Sequence, residues 1–265
     1  MDADGNGRKE LSLPESLFGE ILTFSDISSD GRWFLYPIME SGETEEEVRY
    51  TESWYLLDTE NGENRFLNYS SIYGGNGLLP GFSPDGNWLT YYLGLLPTEE
   101  EFSVEGSYRF LLNIESLADK SAVEQINVLG DGFPQSFQAY PYASFYAGIA
   151  SRRWSPNNRF LAFSGMMDGP SSDLYIYDTI SRTIARLTDG PGNIQGMIWS
   201  PDNKRILHSG SLDNCSPIIT CGNFFVVSID GSPAASIPDP LDTGGAMYSL
   251  GWLTDSKYVF HDIAN

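Results

Sequence analysis

The chain has 265 residues, 41% hydrophobic and 14% aromatic, which is enough to bury a sizeable core and too apolar for a disordered chain. Lys and Arg number 15 against 36 Asp and Glu, a formal net charge of -21 that repels nucleic acid and anionic membrane surfaces. Two cysteines exclude a disulfide-rich scaffold, two histidines (His208 and His261) leave little for a histidine-based metal site or triad, and no apolar run approaches the ~20 residues of a membrane helix.

In chain order, Met1 leads straight into Asp2-Ala3-Asp4-Gly5-Asn6-Gly7. No basic segment followed by an apolar stretch is visible there, so no signal peptide is read. The segment fits the first half of an EF-hand calcium loop, but Leu13 stands where the bidentate acid belongs and no entering helix precedes it. It reads as a turn. One phrase then recurs five times: Ile27-Ser28-Ser29-Asp30-Gly31-Arg32-Trp33, Phe82-Ser83-Pro84-Asp85-Gly86-Asn87-Trp88, Trp154-Ser155-Pro156-Asn157-Asn158-Arg159-Phe160, Trp199-Ser200-Pro201-Asp202-Asn203-Lys204-Arg205 and the degenerate Trp252-Leu253-Thr254-Asp255-Ser256-Lys257-Tyr258.

The phrase encodes a β-hairpin. Proline presets the first turn dihedral, Asp-Gly or Asn-Asn tolerates the left-handed residue that follows, and an alternating apolar strand comes next. The turn residues Asp30, Asp85, Asn157, Asp202 and Asp255 are spaced 55, 72, 45 and 53 apart. The shortest interval is close to the ~40–45 residues of a four-stranded propeller blade, and the longer ones imply loop insertions. The third unit shows the plain form. Phe160–Ser164 reads as strand B, Asp173–Asp178 as strand C, Thr183–Thr188 as strand D, and Gln195–Trp199 as strand A of the next unit. The C strand repeats at Trp54–Asp58, Tyr108–Leu112 and Phe224–Ser228, and Lys257–Asp262 reads as a last strand B. A β-sandwich with repetitive hairpins would not place one phrase at a fixed position in every unit, so radial repetition is expected.

Leu174-Tyr175-Ile176-Tyr177-Asp178, Arg186-Leu187-Thr188-Asp189-Gly190 and Trp199-Ser200-Pro201-Asp202 resemble the TolB-type, WD-repeat-like β-propeller family, which includes the propeller of the periplasmic Tol system and those of prolyl-oligopeptidase relatives. The resemblance covers nearly the whole chain and implies an all-β propeller of four-stranded antiparallel blades. It also implies that Met1–Gly5 ends a strand C and that Arg8–Leu13 is a strand D. Residues 1–265 are expected to be a single propeller domain with five visible units; joining its ends would build a fifth blade almost lacking strand C, so a domain incomplete at both ends, from a parent of six or more blades, is expected over a complete five-bladed ring. The motif marks turns and core strands, not a site.

In an antiparallel blade the A–B and C–D turns share one face, and the B–C and D–A loops share the other. The insertions fall on the second kind. Glu45, Glu46, Glu47, Glu99, Glu100 and Glu101 lie in B–C loops, and Phe133, Phe137, Tyr140, Tyr142, Phe145 and Tyr146 in the longest D–A loop. The acids also read as a solvated loop surface, and the aromatics as packing for their own loop. Long loops on a rigid scaffold are where function sits, so this face is expected to bind a partner. Cys215 and Cys221 share a B–C loop and are expected to form a disulfide, which points to a periplasmic or extracellular location.

No G-x-S-x-G elbow, H-E-x-x-H or Gly-rich phosphate loop is present, and His208 and His261 read as strand residues. The expectation is a non-catalytic scaffold for a protein or peptide partner, with no cofactor, metal, nucleic acid or membrane insertion. Two alternatives stay open. One is the substrate-gating propeller of a serine peptidase whose hydrolase domain lies elsewhere. The other is a propeller lyase or glycosidase using channel carboxylates.

Overall fold

The computed structural model describes residues 20–21, 26–43, 48–71, 80–95, 109–119, 123–130, 152–169, 172–190, 193–211, 222–237 and 248–262. All the regular structure in them is β, and every strand pairing is antiparallel. The first unit contains β1 (Glu20–Ile21), β2 (Asp26–Ile27), β3 (Trp33–Glu43), β4 (Val48–Asp58) and β5 (Asn64–Ser71). Here strand A is split: β1 and β2 both pair with β3. The second unit is β6 (Gly81–Phe82), β7 (Trp88–Leu95), β8 (Arg109–Ser116) and β9 (Val123–Asn127). The third is β10 (Arg152–Trp154), β11 (Phe160–Gly165), β12 (Asp173–Asp178) and β13 (Thr183–Arg186). The fourth is β14 (Asn193–Trp199), β15 (Arg205–Ser211), β16 (Gly222–Ser228) and β17 (Ala235–Ile237), and a hairpin of β18 (Tyr248–Trp252) and β19 (Tyr258–Asp262) follows. Apart from the split strand A of the first unit, each unit is a meander, so neighbours in sequence are neighbours in the sheet.

These are the expected blades with shifted ends. Strand C of the third unit matches the reading residue for residue, while its strand D stops at Arg186 because Thr188 turns its hydroxyl to Asp173 instead of continuing the ladder. Strand C of the second unit runs to Ser116, beyond the expected Leu112. In the first unit β3 and β4 extend toward the acidic stretch, so that Glu43 belongs to a strand. Arg8–Leu13 lies outside the described residues.

The recurrent phrase folds as one device. In the first four units its serine N–H pairs with the carbonyl five residues on, and its carbonyl accepts the N–H of the left-handed residue, as in Ser155 N to Phe160 O at 2.8 Å and Asn158 N to Ser155 O at 2.9 Å. The left-handed position is Gly31, Gly86, Asn158, Asn203 and Ser256, with φ between 61° and 75°. Inside each turn the serine hydroxyl donates to the acidic or amide side chain two residues on: Ser28 to Asp30, Ser83 to Asp85, Ser155 to Asn157 and Ser200 to Asp202, at 2.5–2.7 Å. The serine hydroxyl oxygen also accepts the N–H that opens strand B, as from Trp33 at 2.8 Å and Phe160 at 2.9 Å. These donated bonds hold the Asp30 and Asp202 carboxyls below their ordinary range, the serine hydroxyl being the larger cause in both.

Hydrophobic clusters sit between the blades. Trp33, Leu35, Trp54 and Leu56 pack on Leu89 and Tyr91; Tyr92, Phe110 and Leu112 pack on Leu161, Phe163 and Tyr175; and Ala162, Leu174 and Ile176 pack on Ile194, Met197 and Trp199. Both faces of an inner blade are thus covered, which is why β11 and β12 read as nearly continuous buried runs. Indole donors cross the joints: Trp199 Nε1 donates to Arg153 O at 2.9 Å, and Trp252 Nε1 to Ile198 O at 3.1 Å.

Candidate functional site

The strand ends sort the connections onto two faces. On one, A–B turns are stitched to C–D turns within each blade. Thr59 N donates to Arg32 O, Leu117 N to Asn87 O, Thr179 N to Arg159 O and Ile229 N to Lys204 O, at 2.8–3.0 Å. Arg32 and Arg159 reach the acids closing their C strands, Asp58 and Asp178, at 2.9 and 2.7 Å. The Arg159 guanidinium pulls the Asp178 carboxyl down to about 2. This face is tight turns locked by short bonds.

The other face carries the connections between β3 and β4, β7 and β8, β11 and β12, and β15 and β16, with those that join one blade to the next. Two of its elements meet among the described residues. Leu129, just past β9, bridges to Met166, just past β11, and Gly130 N donates to Met166 O at 2.8 Å. The D–A connection of the second blade therefore starts against the B–C connection of the third. Beside it is a charged clasp. Asp173 is nearly fully buried, and it accepts Arg186 Nη2 at 2.6 Å, the Thr188 hydroxyl at 2.9 Å and Gly190 N at 3.3 Å. Arg186 also holds Asp189 at 2.8 Å, and the Tyr175 hydroxyl donates to Asp168 at 2.9 Å. Burial raises the Tyr175 phenol above its ordinary value, with the bond to Asp168 adding to it. The residues of the Arg186–Gly190 motif thus anchor the start of a D–A connection.

The residues expected to form the binding surface, Phe133, Phe137, Tyr140, Tyr142, Phe145, Tyr146, Glu45, Glu46, Glu47, Glu99, Glu100 and Glu101, lie outside the described residues, as do Cys215, Cys221 and the Asp2–Gly7 segment. His208 and His261 are strand residues. His208 sits in β15 and His261 in β19. His208 is buried and stacks on Phe225 with centroids 5.3 Å apart, taking the place that Phe163 fills against Tyr175 in the third blade. Burial lowers its pKa to about 4. Among the described residues no three His, Cys, Asp or Glu side chains converge as a metal site needs.

Sequence reasoning missed an ion pair between the first two blades, in which Glu115 is buried and the Arg65 side chain is 43% exposed. Arg65 Nη2 lies 2.7 Å from Glu115 Oε1, and the Glu115 side chain is 4% exposed. A cleft of about 190 Å³ opens beside it, lined by Trp33, Leu56, Glu63, Arg65, Glu115 and Leu117. Its residues lie at the C–D turn end of the blades, on the turn face. Aligning the repeat units strand by strand would have shown a carboxylate at an apolar position.

No protein-family model matches the chain. TolB from Acinetobacter baumannii is similar in structure, at 18% identity and a TM-score of 0.44, over 82% of this chain and 43% of that one. The β-propeller domain of the Trilobed protease from Pyrococcus furiosus is similar at 14% identity and a TM-score of 0.46, over 82% of this chain and 56% of that one. Successive four-stranded antiparallel meanders with apolar clusters between them make the fold a β-propeller. TolB-type and other propellers are its structural neighbours. In sequence, the propeller is 42% identical over 60 residues to the uncharacterized peptidase YuxL of Bacillus subtilis (strain 168), a stretch that is 23% of this chain and 9% of that one. The propeller thus spans less than half of that TolB and matches a small part of the peptidase.

Proposed function

We propose that this propeller is a non-catalytic scaffold that binds a protein or peptide partner on the face carrying the B–C and D–A connections. The observation that supports the reading is the asymmetry of the two faces. One is closed by short turns bonded to one another, as between Thr179 and Arg159. The other receives every long connection, and its described edge is anchored by the Leu129–Met166 bridge and the Asp173–Arg186 clasp. A rigid frame that holds long loops on one side is the arrangement of a recognition surface. In this reading Phe133, Phe137, Tyr140, Tyr142, Phe145 and Tyr146 supply the contact area, and the acids at 45–47 and 99–101 favour a basic partner surface. The location is extracytoplasmic, with Cys215 and Cys221 joined. Mass spectrometry after alkylation without reductant checks this: no alkylated cysteine is expected, and two alkylated cysteines would contradict it.

A second reading is a propeller that gates substrate for a serine hydrolase domain, favoured by the 42% identity to a peptidase over 60 residues. One experiment tests both. The protein and a folded Phe137→Ala/Tyr140→Ala/Tyr142→Ala variant are used to capture partners from an extract of the native cell. The scaffold reading predicts a partner retained by the first and lost by the second. A captured hydrolase domain moves the conclusion to the peptidase reading, and equal retention by both proteins contradicts the assignment of the face.

A further inference from the structure

One ring position of the repeat carries a group that titrates in acid. The pairings of Trp33 with Asp58, Trp88 with Ser116, Phe160 with Asp178 and Arg205 with Ser228 align the four B strands. His208 then occupies the position held by Tyr36, Tyr91 and Phe163, each buried at 7% exposure or less. Tyr36 stacks on Tyr55 at 5.7 Å, Phe163 on Tyr175 at 5.6 Å and His208 on Phe225 at 5.3 Å. The packing asks for a ring there, and an uncharged phenyl or phenol supplies it in the other three blades. His208 is 5% exposed, and neither imidazole nitrogen has a hydrogen-bond partner. Burial lowers its pKa, opposed in smaller measure by the Ser209 backbone. A ring that must stay neutral to stay buried is sensitive to acid. Where a sequence breaks its own local rule, the departure points to function.

The strands around it offer the charged form no carboxylate. Met197 and Phe225 lie opposite His208 on β14 and β16, and Met197 packs on Ala162, Leu174 and Ile176. Opposed residues share a face, so the imidazole faces the joint between the third and fourth blades. Strands β11, β14, β16 and β17 contain no charged residue. The charges of the other strands are engaged elsewhere. Asp173 holds Arg186 at 2.6 Å and Asp178 holds Arg159 at 2.7 Å. Arg205 donates to Ser256 O at 2.7 Å and Arg152 to Thr90 Oγ1 at 2.9 Å, while Arg153 is exposed. The phenols Tyr175 and Tyr177 pack toward the second blade. The backbone beside the ring is loosely paired as well. The register of β14 on β15 shifts between Ile194 and Gly196, next to the Met197–His208 pair, and Gly196 and Gly210 bring no side chain to the joint. Past that bulge, Ile194 N donates to Ser172 Oγ at 3.0 Å on the loop-face side. On the turn-face side, Trp199 Nε1 donates to Arg153 O at 2.9 Å.

We propose that this joint is an acid-operated hinge: protonation of His208 parts its loop-face half, from the bulge to Ser211, while Trp199 keeps the turn-face half closed. The device needs no partner, so it stands apart from the reading of the loop face. The test is hydrogen exchange read by mass spectrometry at pH 7 and pH 5, corrected for the chemical exchange rate. Peptides covering 194–199, 206–210 and 223–227 report on the joint, and peptides covering 88–93 and 110–115 on the second blade. The closed joint keeps the ring neutral down to about 4, and the opened one lets it titrate near 6.5. Opening therefore becomes about twentyfold more populated at pH 5 than at pH 7. The joint peptides are expected to lose protection by that factor, while the second-blade peptides stay more protected, as a local opening requires. In His208→Phe and His208→Tyr, which restore the rings of the other blades, the loss is expected to be absent. No fall in the native chain, or the same fall in either folded variant, would overturn the proposal. So would equal protection of the two sets at pH 5, the mark of whole-molecule unfolding.

Discussion

Asn158 Oδ1 accepts the backbone N–H of Asp85 at 3.1 Å, joining the turns of two blades across 73 residues of chain. The same bond recurs one joint on, from Asn157 N to Asn203 Oδ1 at 2.8 Å, and again from Asp202 N to Ser256 Oγ at 3.2 Å. The residue in the left-handed conformation thus does two jobs. It closes its own turn, and its side chain caps the turn of the preceding blade. Asparagine and serine at these positions are therefore contacts between blades as well as turn formers.

Replacing Asn158 separates the two jobs. Asn158→Gly keeps the left-handed backbone and loses the capping bond. Asn158→Ala loses the bond and adds strain at φ 62°. Denaturant unfolding is expected to show a loss of about 1 kcal/mol for glycine and about 2 kcal/mol for alanine. Equal, negligible losses would mean that the bond between blades contributes nothing.

Gly86 makes the corresponding joint without a side chain. Its φ is 75°, and a Cβ there would lie 3.0–3.1 Å from Ser29 Oγ, Ser28 Cβ and Ser29 N. Gly86→Ala is expected to destabilise by about 1–3 kcal/mol, since strain and crowding add. Gly31 has a similar φ of 73° and open space around it, so Gly31→Ala is expected to cost about 1 kcal/mol from strain alone. Thermal unfolding of the pair checks the ranking.

The β-hairpin phrases were legible because every requirement lies within a few residues. Ser-Pro-Asp-Gly carries its own proline, its own capping carboxylate and its own left-handed glycine. The Asp173–Asp178 strand was legible because alternation and flanking turns bracket it. The links between blades were not. Asn158 to Asp85 and Arg65 to Glu115 join residues separated by 73 and 50 positions, and no local pattern names the partner of either. Only alignment of the units exposes Glu115, by the apolar residues at its place in the other three.

Acid destabilisation follows from His208. Burial holds its pKa at about 4 against an ordinary 6.5, so the fold keeps it neutral. Its contribution is fully present above pH 6.5, declines as pH falls toward 4, and is absent below that. The loss amounts to ~3 kcal/mol. Asp178, held at about 2 by Arg159, contributes above its ordinary value of 3.8 and is lost only as pH falls through 2. Stability measured from pH 7 to pH 4 is expected to fall in the native chain. In His208→Phe, which keeps the ring stack on Phe225, the fall is expected to be smaller by that amount. Parallel curves for the two proteins would contradict the assignment.

The assignment of the partner to the loop face is tested most directly by site-specific photo-crosslinking in an extract of the native cell. One crosslinker replaces Tyr140 in the long D–A connection, and another replaces the exposed Ile180 in a C–D turn. A partner crosslinked from position 140 and not from position 180 is the predicted result. A partner crosslinked from position 180 alone would place recognition on the turn face and contradict the account.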